Sequence, residues 1–82
     1  MVSKQCGYVI IKFLGYLSEI MGSKIEKEVC GEVELRDLID ENRIGASLND
    51  LVILVNGVAR GPETKVKAGD TVTVMPHISG GI

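Results

Sequence analysis

The sequence predicts an α+β roll: a mixed sheet of four to five strands with one main helix packed on one face. Three observations lead there. Short runs rich in β-branched and aromatic residues recur along the chain, as strands require. Asn56-Gly57 directly follows an apolar run. This dipeptide is the strongest short hairpin signal, because a tight type I′ turn needs positive φ at both central residues. Residues 33–43 carry Leu35, Leu38 and Ile39 as one apolar stripe at helical spacing. A single amphipathic helix can bury that stripe only against the sheet, which makes two layers.

The elements follow in order. Residues 8–14, Tyr-Val-Ile-Ile-Lys-Phe-Leu, read as the first strand. With Lys12 turned outward, Val9, Ile11 and Phe13 point together into the core by the two-residue period. Gly15 breaks the strand, and Leu17, Ile20 and Met21 make a short helix that stops at Gly22. Residues 24–30 alternate charged and apolar types and suit an edge strand. The main helix spans 33–43, with Arg36–Asp40 and Asp37–Glu41 as pairs on its wet face and Gly45 as its stop. Leu38→Ala is then expected to unfold or badly loosen the domain. Residues 51–55 are apolar throughout, the pattern of a strand covered on both faces. The Asn-Gly turn, a return strand from Val58, turns at Gly61-Pro62 and Ala68-Gly69-Asp70, and a last strand over 71–75 complete the roll. The domain is expected to occupy 1–76 and a flexible tail 77–82.

Size and charge exclude several classes. A chain of 82 residues forms one small domain that hides only about 60% of its unfolded surface, with no room for a deep cleft. The apolar content of 45% still marks a globular chain. Nine basic and eleven acidic residues leave a net charge of −2, and no cluster of basic residues interleaves with aromatics as a nucleic-acid footprint would. The apolar run at 8–14 is too short to span a bilayer and contains Lys12, so a cytoplasmic location is expected. Cys6 and Cys30 are too few for a zinc or iron–sulfur site and read as small core fillers. His77 is the only histidine, so no histidine-based triad or multi-histidine metal site can form, and it reads as solvated. Asp37, Asp40 and Glu41 belong to a solvent-facing surface, and no nucleophile–base pair converges. Neither catalytic nor metal-binding residues are expected.

If Val9, Ile11, Phe13, Ile53, Val55, Val72 and Val74 face the helix, then Ile10, Leu54 and Met75 face away. An apolar cluster on the uncovered side of so small a roll is expected to dock a partner. The other candidate is the tail: Ser79, Gly80 and Gly81, then Ile82. A terminus without side chains can thread a narrow active site on another protein. The fold would then be a handle and the terminal carboxylate the reactive group.

Three motifs carry a resemblance: Val55-Asn56-Gly57, Lys67-Ala68-Gly69-Asp70-Thr71-Val72 and Pro76-His77-Ile78-Ser79-Gly80-Gly81. On these, over residues 8–81, the chain resembles the molybdopterin-synthase small-subunit and thiamine sulfur-carrier family of ubiquitin-like β-grasp proteins. The resemblance implies a carrier or non-catalytic subunit, not an enzyme. An E1-like enzyme would adenylate the Gly81 carboxylate with ATP, and sulfur from a sulfurtransferase persulfide would displace AMP to leave a thiocarboxylate. Ser79 and Gly80 would thread that group into the large subunit of molybdopterin synthase, for molybdenum or tungsten cofactor synthesis. ATP belongs to the activating partner, and the chain itself would bind no cofactor. Residues 15–22 look like the molybdopterin type. His77 stands where that type usually has a second proline, and Ile82 follows Gly81 where the family ends on a free glycine. Joining the tail to lysines as a protein modifier, or supplying sulfur for tRNA thiolation, would use the same activated Gly81. Ile82 is expected to mark a precursor from which a peptidase removes one residue before activation. It is also the best argument for a third reading, a β-grasp interaction module without carrier chemistry.

Overall fold

The computed structural model describes residues 5–77. Strand β1 (Cys6–Phe13) leads through helix α1 (Leu17–Met21) to β2 (Lys24–Cys30) and a two-residue β3 (Val33–Glu34). Helix α2 (Glu41–Ile44), β4 (Leu51–Val55), β5 (Val58–Ala59), β6 (Lys65–Val66) and β7 (Thr71–Pro76) follow. The main sheet has the order β2-β1-β7-β4-β5. Its central pair, β1 and β7, is parallel, whereas β2, β4 and β5 join antiparallel. This mixed sheet, with its helical pieces on one face, is the β-grasp roll.

The inward row is as the two-residue period requires. Val9, Ile11, Phe13, Ile53, Val55, Val72 and Val74 are all buried, and Leu17, Leu35, Ile39, Ile44 and Leu48 close over them. The hairpin turn lies at Asn56 and Gly57, both at positive φ (52° and 85°), so β4 returns at once as β5. Strand β2 is an edge, with only Val29 buried and five of its seven residues exposed as charged or cysteine side chains.

The main helix expected over 33–43 is not continuous. Val33 and Glu34 pair with Val66 and Lys65 as a second, two-stranded sheet. The Leu35 and Arg36 amides donate to the carbonyls of Thr64 and Pro62 at 2.9 and 3.0 Å. Residues 35–37 form a single 3₁₀ turn. Asp40 is extended (φ −85°, ψ 103°), and its carboxylate accepts from the Asn42 amide, so a new four-residue helix starts there. Gly45 in the left-handed conformation ends it. The apolar stripe still reaches the core through Leu35 and Ile39, but Leu38 is only half-buried. The expected Arg36–Asp40 and Asp37–Glu41 helix pairs have no helix to sit on. Arg36 instead holds Glu34 at 2.7 Å.

Three smaller expectations also change. Strand β4 is covered on one face only: Ile53 and Val55 are buried, whereas Val52 and Leu54 on the other face stay half-buried. Ile20 of α1 is exposed, leaving Leu17 and Met21 to pack inward. Cys6 and Cys30 are not core fillers. Both lie on the exposed side of the sheet as register partners of β1 and β2, joined in a disulfide.

Candidate functional site

Two features converge on the end of the sheet where β7 runs out. Strand β7 is the middle strand, so its C-terminal end is held from both sides, by β1 and β4. Leu14 donates to the Val74 carbonyl at 3.0 Å, and Leu51 is the register partner of Pro76. Gly15 lies against the Pro76 ring: a Cβ there would meet Pro76 Cγ at 3.1 Å. Its φ of 63° lets the chain turn sharply, and its carbonyl accepts from Ser18 Oγ at 2.8 Å. The root of the tail is thus fixed by the loop after β1. Leu14 and Tyr16 are exposed beside it (46% and 51%). On another side, Asn49, Asp50 and His77 line an open depression of about 360 Å³. His77 is exposed, as its place near the end of the chain leads one to expect. Ser79, Gly80, Gly81 and Ile82, where the tail site is expected, lie outside the described residues.

The open face of the sheet carries the second feature. Ile10, Leu54 and Met75 are all half-buried on this face, opposite the core. The register does not bring the three together equally. Val52 is paired with Met75 and Leu54 with Thr73, so Leu54, Val52 and Met75 form one apolar patch across β4 and β7. Ile10 is paired with Thr71 and Lys12 with Thr73, so the threonines of β7 separate Ile10 from that patch. Exposed Tyr8 extends the β1 side. Lys12 is also paired with Lys24, and Ile10 with Glu26. The basic pair therefore lies toward the tail root, and the acidic residues Glu26 and Glu28 lie away from it. Sequence reasoning missed Val52, Tyr8 and this charge gradient, because each depends on strand register. Lys12 was visible as the single charge in an apolar run.

At the far end of the sheet, Asn56 and the 67–71 turn dock on each other. Asn56 Nδ2 donates to Asp70 Oδ1 at 3.1 Å, and Asn56 Oδ1 accepts from the Thr71 amide at 2.9 Å. Asp70 Oδ2 accepts from the Lys67 amide at 3.0 Å, and Lys67 Nζ lies 3.8 Å from Asp70 Oδ1. Burial pushes the Asp70 carboxyl up, but the Lys67 amide, the Asn56 amide and the Lys67 charge outweigh it and hold the carboxyl below its ordinary range. Two motifs that looked separate along the chain are one structural joint.

Among the described residues, no group of three His, Cys, Asp or Glu side chains could hold a metal ion, and no helix is long and apolar enough to cross a membrane. No converging acid–base pair occupies either feature. Among the described residues, the two features are a half-buried apolar patch on the open face of the sheet and a strand end braced from both sides.

Known proteins agree with this architecture. The sequence model of the ThiS family matches residues 11–81. No curated protein matches the chain. Among solved structures, the Haloferax volcanii HVO 2177 protein superposes with a TM-score of 0.75 at 20% identity, covering 99% of this chain and 92% of that one. A Pyrococcus furiosus protein described as molybdopterin converting factor, subunit 1, gives 0.70 at 24% identity, over 88% and 99% of the two chains. SAMP1 from Haloferax volcanii gives 0.71 at 24% identity, over 92% and 100%. At these identities the structures establish the fold, and the family match extends through all three motifs. The chain belongs to the ThiS family of ubiquitin-like β-grasp proteins.

Proposed function

We propose that the chain is a sulfur carrier activated at Gly81, and that its leading role is as the small subunit of molybdopterin synthase in molybdenum or tungsten cofactor synthesis. The observation that carries this reading is that the family match runs to Gly81 and leaves Ile82 outside it. Directly upstream, the middle strand of the sheet ends at Pro76, braced by Gly15. A braced handle followed in sequence by Ser79, Gly80 and Gly81 suits delivery of a glycine carboxylate into a partner's site.

The chemistry follows from the weakness of a free carboxylate as an electrophile. An E1-like partner joins the Gly81 carboxylate to AMP from ATP, releasing pyrophosphate. The terminal sulfur of a sulfurtransferase persulfide then displaces AMP to form an acyl disulfide, and a thiol reductant cleaves its S–S bond to leave the thiocarboxylate. Ser79 and Gly80 are the linker that enters the acceptor's site. The apolar patch of Leu54, Val52 and Met75, with Ile10 beside it, is the surface by which partners hold the domain. The chain has no catalytic group or bound cofactor of its own in this scheme and works in the cytoplasm with its ATP-using partner.

A second reading uses the same activated glycine to modify protein lysines or to thiolate tRNA. The likeness to a small archaeal modifier protein of similar length favours it over a non-carrier module. In all carrier readings the amide between Gly81 and Ile82 must be cut first, because an amide carbonyl cannot be adenylated as a carboxylate can. The stiff β-branched side chain of Ile82 would also block a channel shaped for glycine.

The test compares the full chain with a chain ending at Gly81, each incubated with a cognate activating enzyme, ATP and a sulfur source. Intact mass reports replacement of one oxygen by sulfur. Conversion confined to the shortened chain is expected. Equal conversion of both would remove the need for trimming, and conversion of neither would leave the non-carrier interaction module as the reading.

A further inference from the structure

The Cys6–Cys30 disulfide has no part in the chemistry of the tail, which leaves the opposite end of β1. Both cysteines are exposed and lie on the open face as register partners of β1 and β2. Their Cα atoms are 4.0 Å apart, the close spacing of a non-hydrogen-bonded antiparallel pair. Beyond its seven-position ladder with β1, strand β2 has little else to hold it. It is an edge strand, Val29 is its single buried residue and Ile25 is half-buried. Past Cys30, the Gly31 amide makes one further bond, to the Gln5 carbonyl at 3.0 Å. The chain then passes an open cavity of about 240 Å³ lined by Gln5, Gly31, Glu32, Lys67 and Ala68.

We infer that this disulfide is a thiol-operated latch on the outer end of β2, open to a dithiol reductant such as a protein with a paired-cysteine site. In the reduction the S–S bond breaks and each sulfur gains a proton. The two electrons and two protons come from the dithiol, which closes to its own disulfide. Exposure lets an attacking thiolate reach either sulfur. With the bridge closed, Val29 is pinned in the core by the residue next to it. With it open, residues 28–31 lose their direct cross-strand covalent tie to β1 and are held there by the backbone ladder alone, so the outer end of that ladder can fray. The joins of β1 to β7 and of β7 to β4 do not involve the bridge, so the rest of the sheet keeps its structure. This inference stands apart from the sulfur-carrier reading.

Amide hydrogen exchange, residue by residue, tests it on the full chain with and without dithiothreitol. Reduction is expected to speed exchange of the Val29 and Gly31 amides at least tenfold while the amides of Ile53 and Val74 hold, with recovery on reoxidation. The double variant Cys6→Ser/Cys30→Ser should show the fast exchange permanently and ignore the reductant. Unchanged exchange at Val29 and Gly31 would overturn the latch. So would acceleration across all strands, since the bridge would then be a staple for the whole fold. Two cysteines that react with iodoacetamide before any reductant is added would also overturn it.

Discussion

Asn56 and Asp70, fourteen positions apart, clamp the β4–β5 hairpin to the turn that starts β7, through a side-chain hydrogen bond of 3.1 Å. Asn56 sits at positive φ in the hairpin and still spends its side chain on the other turn, accepting from the Thr71 amide as well. Asp70→Ala removes the acceptor of both the Asn56 amide and the Lys67 amide. It should cost about 1–3 kcal/mol of stability, read as a lower urea midpoint. A double-mutant cycle with Asn56→Ala should return a coupling of about 0.5 kcal/mol or more. Strictly additive losses would show that the two turns stand independently.

The same joint sets an acid limit. The Asp70 carboxyl is held below its ordinary range in the folded chain. A group whose pKa is lower folded than unfolded contributes stability that is complete above its unfolded value, about 3.9. That stability is lost as pH falls through the folded value. Wild type should therefore lose stability below about pH 4 more steeply than Asp70→Asn, which starts weaker and has no such charge to lose. Parallel pH profiles for the two proteins would contradict this.

Leu35 and Leu38 look equivalent in the periodic pattern, but Leu35 is fully buried and Leu38 is not. Leu35→Ala should cost about 2–5 kcal/mol, the range for a buried leucine, a large part of the stability of a small domain. Leu38→Ala should cost clearly less and leave a cooperative transition. A thermal melt of the two variants separates the cases, and equal losses would restore the continuous helix.

Gly15→Ala puts a methyl group against Pro76 at a backbone φ of 63°. The left-handed conformation alone costs a non-glycine residue about 1–2 kcal/mol, so the melting temperature should fall. Because Pro76 is the root of the tail, thiocarboxylate formation on the chain ending at Gly81 should slow as well. A drop in stability with unaltered activation kinetics would mean that the tail does not depend on this brace.

Leu54→Glu places a charge within the Leu54–Val52–Met75 patch without touching the buried row. The fold should survive, as judged by circular dichroism, and affinity for the activating enzyme or the large subunit should fall about tenfold or more, the scale of losing one well-packed interface contact. Undiminished affinity would move the docking surface elsewhere, and the exposed Leu14 and Tyr16 beside the tail root would be the next residues to change.

The sequence by itself determined what depends on local pattern. Two-residue alternation assigned the whole inward row, from Val9 to Val74, and Asn56-Gly57 marked the hairpin, because each signal is complete within a few residues. The motifs that carry the resemblance also led to the family, although Gly81 itself lies outside the described residues. Tertiary structure alone decided what depends on pairing between distant segments. Residues 33–43 look helical until Thr64 and Pro62 take the hydrogen bonds of Leu35 and Arg36, and those partners lie more than twenty positions downstream. Cys6 and Cys30 looked solitary because the first strand was expected to start at Tyr8. Once β1 reaches back to Cys6, the antiparallel register with β2 puts the two sulfurs side by side. The docking patch divides in the same way: alternation sends Ile10, Leu54 and Met75 outward, but only the order β1-β7-β4 separates Ile10 from the other two, because strand order comes from long-range packing that no local window contains.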